Sequence, residues 1–151
     1  MRRWSSVDEA LDFAIENEEE SHRFYTHLAG QTVQPWMRTV LKEFAQEELR
    51  HKQKLVHVKQ GAELKPSESK ILDLKLADYL VEVVPDPALD YQQALILAMK
   101  KEKAAFRLYT DIAAATKEPA LRDTFLALAQ EEAKHKLRLE LEYDELVLRD
   151  N

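Results

Sequence analysis

At 151 residues the chain has the length of one domain, and its formal net charge of −6 argues against nucleic acid as its main partner. The absence of cysteine excludes disulfides, zinc–thiolate sites and iron–sulfur clusters. No apolar run approaches the roughly 20 residues that cross a bilayer. The opening MRRWSSVDEA has no apolar stretch behind its arginines, so no secretory signal is expected; the lack of cysteine fits a reducing cytoplasm by default.

Two glycines and five prolines, in a chain rich in Ala, Glu, Lys, Leu and Arg, predict an all-α protein. A first helix is expected over about 6–29, opened by a capping box of Ser6 with Glu9 and stopped near Gly30. Its apolar stripe runs Leu11, Ala14, Ile15, then Glu18, then Tyr25, Leu28 and Ala29. A second helix, about 35–60, starts on Pro35 and ends before Gly61; its stripe reads Leu41, Phe44, Glu48, His51, Leu55, Val58. Residues 61–89 are too many for a turn and predict a crossover, carrying a short helix near Ile71 to Val83. A third helix, about 90–115, is capped by Asp90 with Gln93 and striped by Leu95, Ala98, Met99, Glu102, Phe106 and Tyr109. The fourth, about 119–147, starts on Pro119 and carries Leu121, Phe125, Leu128, Glu132, His135 and Leu139. Short, long and short connections describe the ferritin-like four-helix bundle, two helical hairpins joined by a crossover.

The hairpins are copies of one another. Ala10–Leu55 and Ala94–Leu139, offset by 84, share 18 of 46 residues. Among the matches are Glu18/Glu102, Arg23/Arg107, Tyr25/Tyr109, Pro35/Pro119, Arg38/Arg122, and the runs AQEE and HK. Each stripe is broken only at its middle, by a carboxylate or by a carboxylate and an imidazole one turn apart. Glu18 alone, beside Glu16, Glu19 and Glu20, would read as solvated. Four carboxylates buried together would instead repel, at several kcal/mol each, and the stripes supply no buried cation. Two divalent ions neutralise them, with Glu18 and Glu102 as terminal ligands, Glu48 and Glu132 as bridges, and one histidine, His51 or His135, for each ion. Oxygen and nitrogen donors without sulfur favour iron, with manganese as the alternative.

Tyr25 and Tyr109 lie in line with Glu18 and Glu102, seven residues on, and are read as hydrogen-bond donors to the carboxylates. Glu47 and Glu131 point about 100° off the stripe and are expected in salt bridges or behind the ligands. His22 faces Phe106 in the repeat and is placed at the bundle edge; His27 and His57, without counterparts, are placed at the surface or rim.

The Glu-x6-Tyr and Glu-Glu-x-x-His pairs and the stretch DYQQALILAMKKEKAAFRLYTDIA resemble the rubrerythrin branch of the ferritin-like proteins over essentially the whole chain. The resemblance implies a non-haem di-iron centre, commonly in a homodimer, that reduces hydrogen peroxide or dioxygen. Rubrerythrins proper add a rubredoxin-like module with four cysteines, which these residues lack, so an external donor such as a rubredoxin-like protein is expected to supply electrons. They also carry a further glutamate where Ala105 stands here; the equivalent position of the first helix is Ser21. Rival expectations are a ferroxidase that stores iron in a hollow assembly, and a helical scaffold with a structural metal site.

Overall fold

The computed structural model describes residues 3–4, 7–60, 74–75 and 90–150. Four helices dominate: α1, Val7–Gln31; α2, Pro35–Gln60; α3, Tyr91–Ala115; and α4, Pro119–Asp150. Their ends follow local chemistry. Asp90 Oδ1 accepts from the Gln93 amide at 2.7 Å and Gln93 Oε1 accepts from the Asp90 amide at 3.1 Å, completing the expected capping box. The caps expected at Ser6 and Gly61 lie outside the described residues.

Gly30 does not stop α1. The helix runs one residue further, and Thr32 ends it, its hydroxyl donating to the Leu28 carbonyl at 2.6 Å and its amide to that of Ala29 at 3.3 Å. Thr116 ends α3 identically, on Ile112 at 2.7 Å and Ala113 at 3.1 Å. At both ends the threonine amide reaches back three residues, the tightened last turn of a helix end, and Thr116 already has an extended backbone. The next turn secures each loop. Arg38 donates twice to the Thr32 carbonyl, at 3.1 and 2.8 Å, and Arg122 Nε donates to that of Thr116 at 3.1 Å. Arg38→Ala and Arg122→Ala are each expected to cost about 1 kcal/mol in urea unfolding. The two costs should add in the double variant, because the loops stand at opposite ends of the bundle.

The helix expected near 71–83 falls outside the described residues except at Leu74–Lys75, and there the chain is extended. These two residues form β2, antiparallel to β1 (Arg3–Trp4), with Trp4 opposite Leu74 and Arg3 opposite Lys75. Backbone groups committed to that ladder are not free for helical bonding.

α1 packs along α2 and α3 along α4, and the hairpins meet with α1 and α3 antiparallel. The interior is two apolar plugs. One joins Leu11 and Ala14 to Leu55, Ile112, Leu121 and Phe125; the other joins Leu28, Met37, Leu41, Leu95 and Leu139. Phe106 was expected in the stripe but is 39% exposed, and Leu108 and Ile112 are buried instead. Four residues after Glu102, Phe106 has rotated past the buried face, whereas 109 and 112 return to it. No described helix is long and apolar enough to cross a membrane.

Candidate metal centre

Between the plugs the stripes turn polar, and helix packing brings their polar residues to one place. Glu18, Glu48, Glu102 and Glu132 are all buried, as are His51 and His135. They form two overlapping quartets, Glu18–Glu48–His51–Glu132 and Glu48–Glu102–Glu132–His135. Within each, one ligand atom per residue lies within 4.8 Å of the others. Glu48 and Glu132 belong to both.

Each imidazole turns Nδ1 inward. That of His51 lies 2.8 Å from Glu132 and 3.6 Å from Glu18 and from Glu48; that of His135 lies 3.2 Å from Glu48 and 3.6 Å from Glu102. Within the cluster six buried atoms are left without a hydrogen bond, one from each residue: Oε2 of Glu18 and Glu102, Oε1 of Glu48 and Glu132, and both Nδ1 atoms. Buried polar groups are normally satisfied. Six orphans of oxygen and nitrogen converging on one space fit divalent metal ions, which would satisfy all of them at once.

The outer faces of the imidazoles are backed by Glu47 and Glu131, crosswise between the halves. His135 Nε2 is bonded to Glu47, and His51 Nε2 lies 3.7 Å from Glu131. A proton on Nε2 shared with a carboxylate leaves the Nδ1 lone pair facing the centre. Phe44 stacks on the His135 ring, centroids 4.0 Å apart, and fixes its plane.

The tyrosines also cross. Tyr25 donates to Glu102 and Tyr109 to Glu18, each at 2.5 Å, so neither holds the glutamate of its own helix as the in-line spacing suggested. Antiparallel packing of α1 on α3 sets this exchange: seven residues up one helix is level with the middle of the other. Burial and the facing glutamates push both phenols well above their ordinary value, so they remain protonated donors.

Burial, with the charges of Glu18 and Glu102, pushes the Glu48 carboxyl well up, and Glu132 is raised by burial and then by Glu102 and Glu48. Burial alone would lower the His135 imidazolium, but the Glu102 and Glu48 carboxylates outweigh it and carry it up to about 11. The free cluster therefore holds protons where it would hold metal.

Three histidines stay outside. His22 Nδ1 bonds the Ala45 carbonyl at 2.7 Å, fastening α1 to α2, while His27 and His57 are exposed. A fully buried carboxylate not anticipated is Glu142, whose Oε1 accepts from the Tyr91 hydroxyl at 3.4 Å. It lies three residues after Leu139 on the continuing α4 stripe, and that spacing was its available signal.

A bundle of two pseudo-symmetric hairpins, with carboxylates and imidazoles buried at its middle, defines the ferritin-like carboxylate class. Residues 9–143 match the Rubrerythrin family model, and the chain belongs to that family. Its fold is shared by a candidate ferritin-like diiron-carboxylate protein from Thermotoga maritima, at 22% identity and a TM-score of 0.81 over 96% of this chain and 99% of the other. It is shared too by a hypothetical protein from Pyrococcus furiosus, at 24% identity and a TM-score of 0.74 over 94% and 90%. No curated protein matches the chain.

Proposed function

We propose that the cluster holds two iron ions and that the protein reduces hydrogen peroxide, or dioxygen, with electrons from an external donor. The observation that carries this is the pair of quartets sharing Glu48 and Glu132. Four carboxylates balance two divalent ions, and six orphan atoms become six ligand atoms. When bound, two ferrous ions supply one electron each, which with two protons convert H2O2 to two waters.

The chain's own groups do the rest. Glu48 and Glu132 span the two positions, while Glu18 and Glu102 close the ends. Tyr109 and Tyr25 hold those end carboxylates in one orientation through their free hydroxyl protons. Glu47 holds the outer nitrogen of His135, and Glu131 faces that of His51. The plugs on either side exclude bulk water, which strengthens every charge interaction between them. Without cysteine in these 151 residues, the electron donor is a separate redox group, for which a rubredoxin-like protein is the proposed kind.

Anaerobic loading with Fe(II), removal of the excess and an iron count test the site. One equivalent of H2O2, followed by ferric absorption, tests the reaction. Two irons per chain oxidised faster by peroxide than by air-saturated buffer are expected. Less than one iron retained, or two that ignore both oxidants, would overturn the reading.

A further inference from the structure

Resting on the reading that the cluster holds metal, we propose that, among the described residues, small ligands reach it between α1 and α3. The route is a size-limited cavity closed at its mouth by the ion pair of Lys101 with Glu20. The cavity measures about 70 Å³ and is walled by Ser21, Ala104 and Ala105, with Glu18 and Glu48 at its floor. It therefore ends on two carboxylates that each present an oxygen without a hydrogen bond. At the roughly 30 Å³ a water takes up in the liquid, it has room for two or three heavy atoms.

The opposite face offers more space but no access. A groove of about 380 Å³ between α2 and α4 reaches His51 from outside, beside Glu47, Glu131 and Ala127. It meets the Nε2 side of the imidazole, which Glu131 faces, while the atoms aimed at the centre lie behind the ring.

The repeat explains why the cavity exists. Ser21 and Ala105 are equivalent positions, 84 residues apart, and both are small where α1 and α3 face each other. The side walls of the cavity thus come from both halves. Its mouth breaks that symmetry. Lys101 and Glu20 have Asn17 and Ala104 as their counterparts, so the ion pair forms on one side only. Lys101 Nζ lies 3.0 Å from Glu20 Oε1 and 5.6 Å from the centre of the Phe24 ring, and its side chain is only 11% exposed. A packed stem tipped by one partly exposed ion pair is a cover that one side-chain rotation opens.

Azide, a linear triatomic anion whose binding to ferric or cobaltous centres is read by its absorption band, is the probe. Ala105→Leu, which fills the cavity, is expected to slow azide association by roughly ten-fold or more while metal content and melting temperature hold. Ser21→Val fills it from the other wall and serves if the leucine disturbs folding. Ala127→Leu, in the outer groove, should leave the rate unchanged. Lys101→Ala, which removes the cover, should speed azide association by about five-fold. Wild-type azide rates in both filled variants, or an equal loss in Ala127→Leu, would overturn the route. A wild-type protein that retains no metal instead overturns the functional reading itself.

Discussion

Glu48→Ala is expected to retain almost no metal, whereas Glu18→Ala keeps about half. Glu48 belongs to both quartets, with Oε1 3.6 Å from the Nδ1 of His51 and 3.2 Å from that of His135. Its removal leaves each position with three donors and leaves two imidazoles facing an apolar gap. Losing even a residue that merely supports a ligand costs about 10- to 100-fold in affinity. Losing a ligand common to two positions costs more at each, and a first ion can no longer prepare the place of the second. Glu132→Ala should behave in the same way. Glu18→Ala and Glu102→Ala each leave one quartet whole, so a stoichiometry near one metal per chain is expected. Iron or cobalt counts after gel filtration, with calorimetric titration for affinity, separate these outcomes. Two ions in Glu48→Ala would mean that the shared position is not shared.

The second large effect is a reversal in how stability depends on pH. In the metal-free protein, Glu48 and Glu132 titrate well above 4.5, and His135 titrates at about 11 against an ordinary 6.5. The folded chain therefore keeps protons that the unfolded chain releases. Their stabilising contribution is complete below the unfolded values and is lost as pH rises toward the folded ones. Glu102 runs the other way: burial raises it, but the neighbouring His135 imidazole and Glu132, with the Tyr25 hydroxyl that it accepts from, outweigh burial and hold it below its ordinary value. Its contribution changes only in acid, below the window in question. The metal-free melting temperature should thus fall between about pH 5 and about pH 9. Metal must displace the same protons, so the gain on loading grows over that interval. Each proton exchanged is worth about 1.4 kcal/mol per pH unit. Melts at three pH values, with chelator and with two equivalents of metal, should give slopes of opposite sign. A metal-free protein that becomes more stable toward pH 9 would count against protonated carboxyls in the cluster.

What the sequence conveyed and what it withheld follow from the range of the forces involved. Helix periodicity is local, so stripes broken at Glu18, Glu48, Glu102 and Glu132 identified four polar inner faces. Pro35, Pro119 and the Asp90 box are local too, and they mark helix starts correctly. Gly30 misled because a glycine permits a stop without requiring one, and α1 runs on to Gln31. Partner choice is a different matter. Nothing along α1 reveals that Tyr25 reaches Glu102, because the direction of α3 beside it is a tertiary property. The same holds for Glu47 and Glu131. Their angle from the stripe was readable, but only the close approach of α2 and α4 shows that each backs the other half's histidine.

This crossing bears on how the domain comes together. Each quartet draws three residues from one hairpin and a single glutamate, Glu132 or Glu48, from the other. The tyrosine bonds and the glutamate–imidazole contacts cross in the same sense. A lone hairpin owns two carboxylates and an imidazole with no phenol to orient its first glutamate. On the proposed reading, bound metal would rivet together halves that otherwise meet through apolar plugs. The contacts within each hairpin are local in sequence, whereas the cluster is complete only after the hairpins dock. The interior of this single chain is thus built as the interface of a symmetric dimer is built, with each half completing the other's quartet and orienting its glutamate and imidazole.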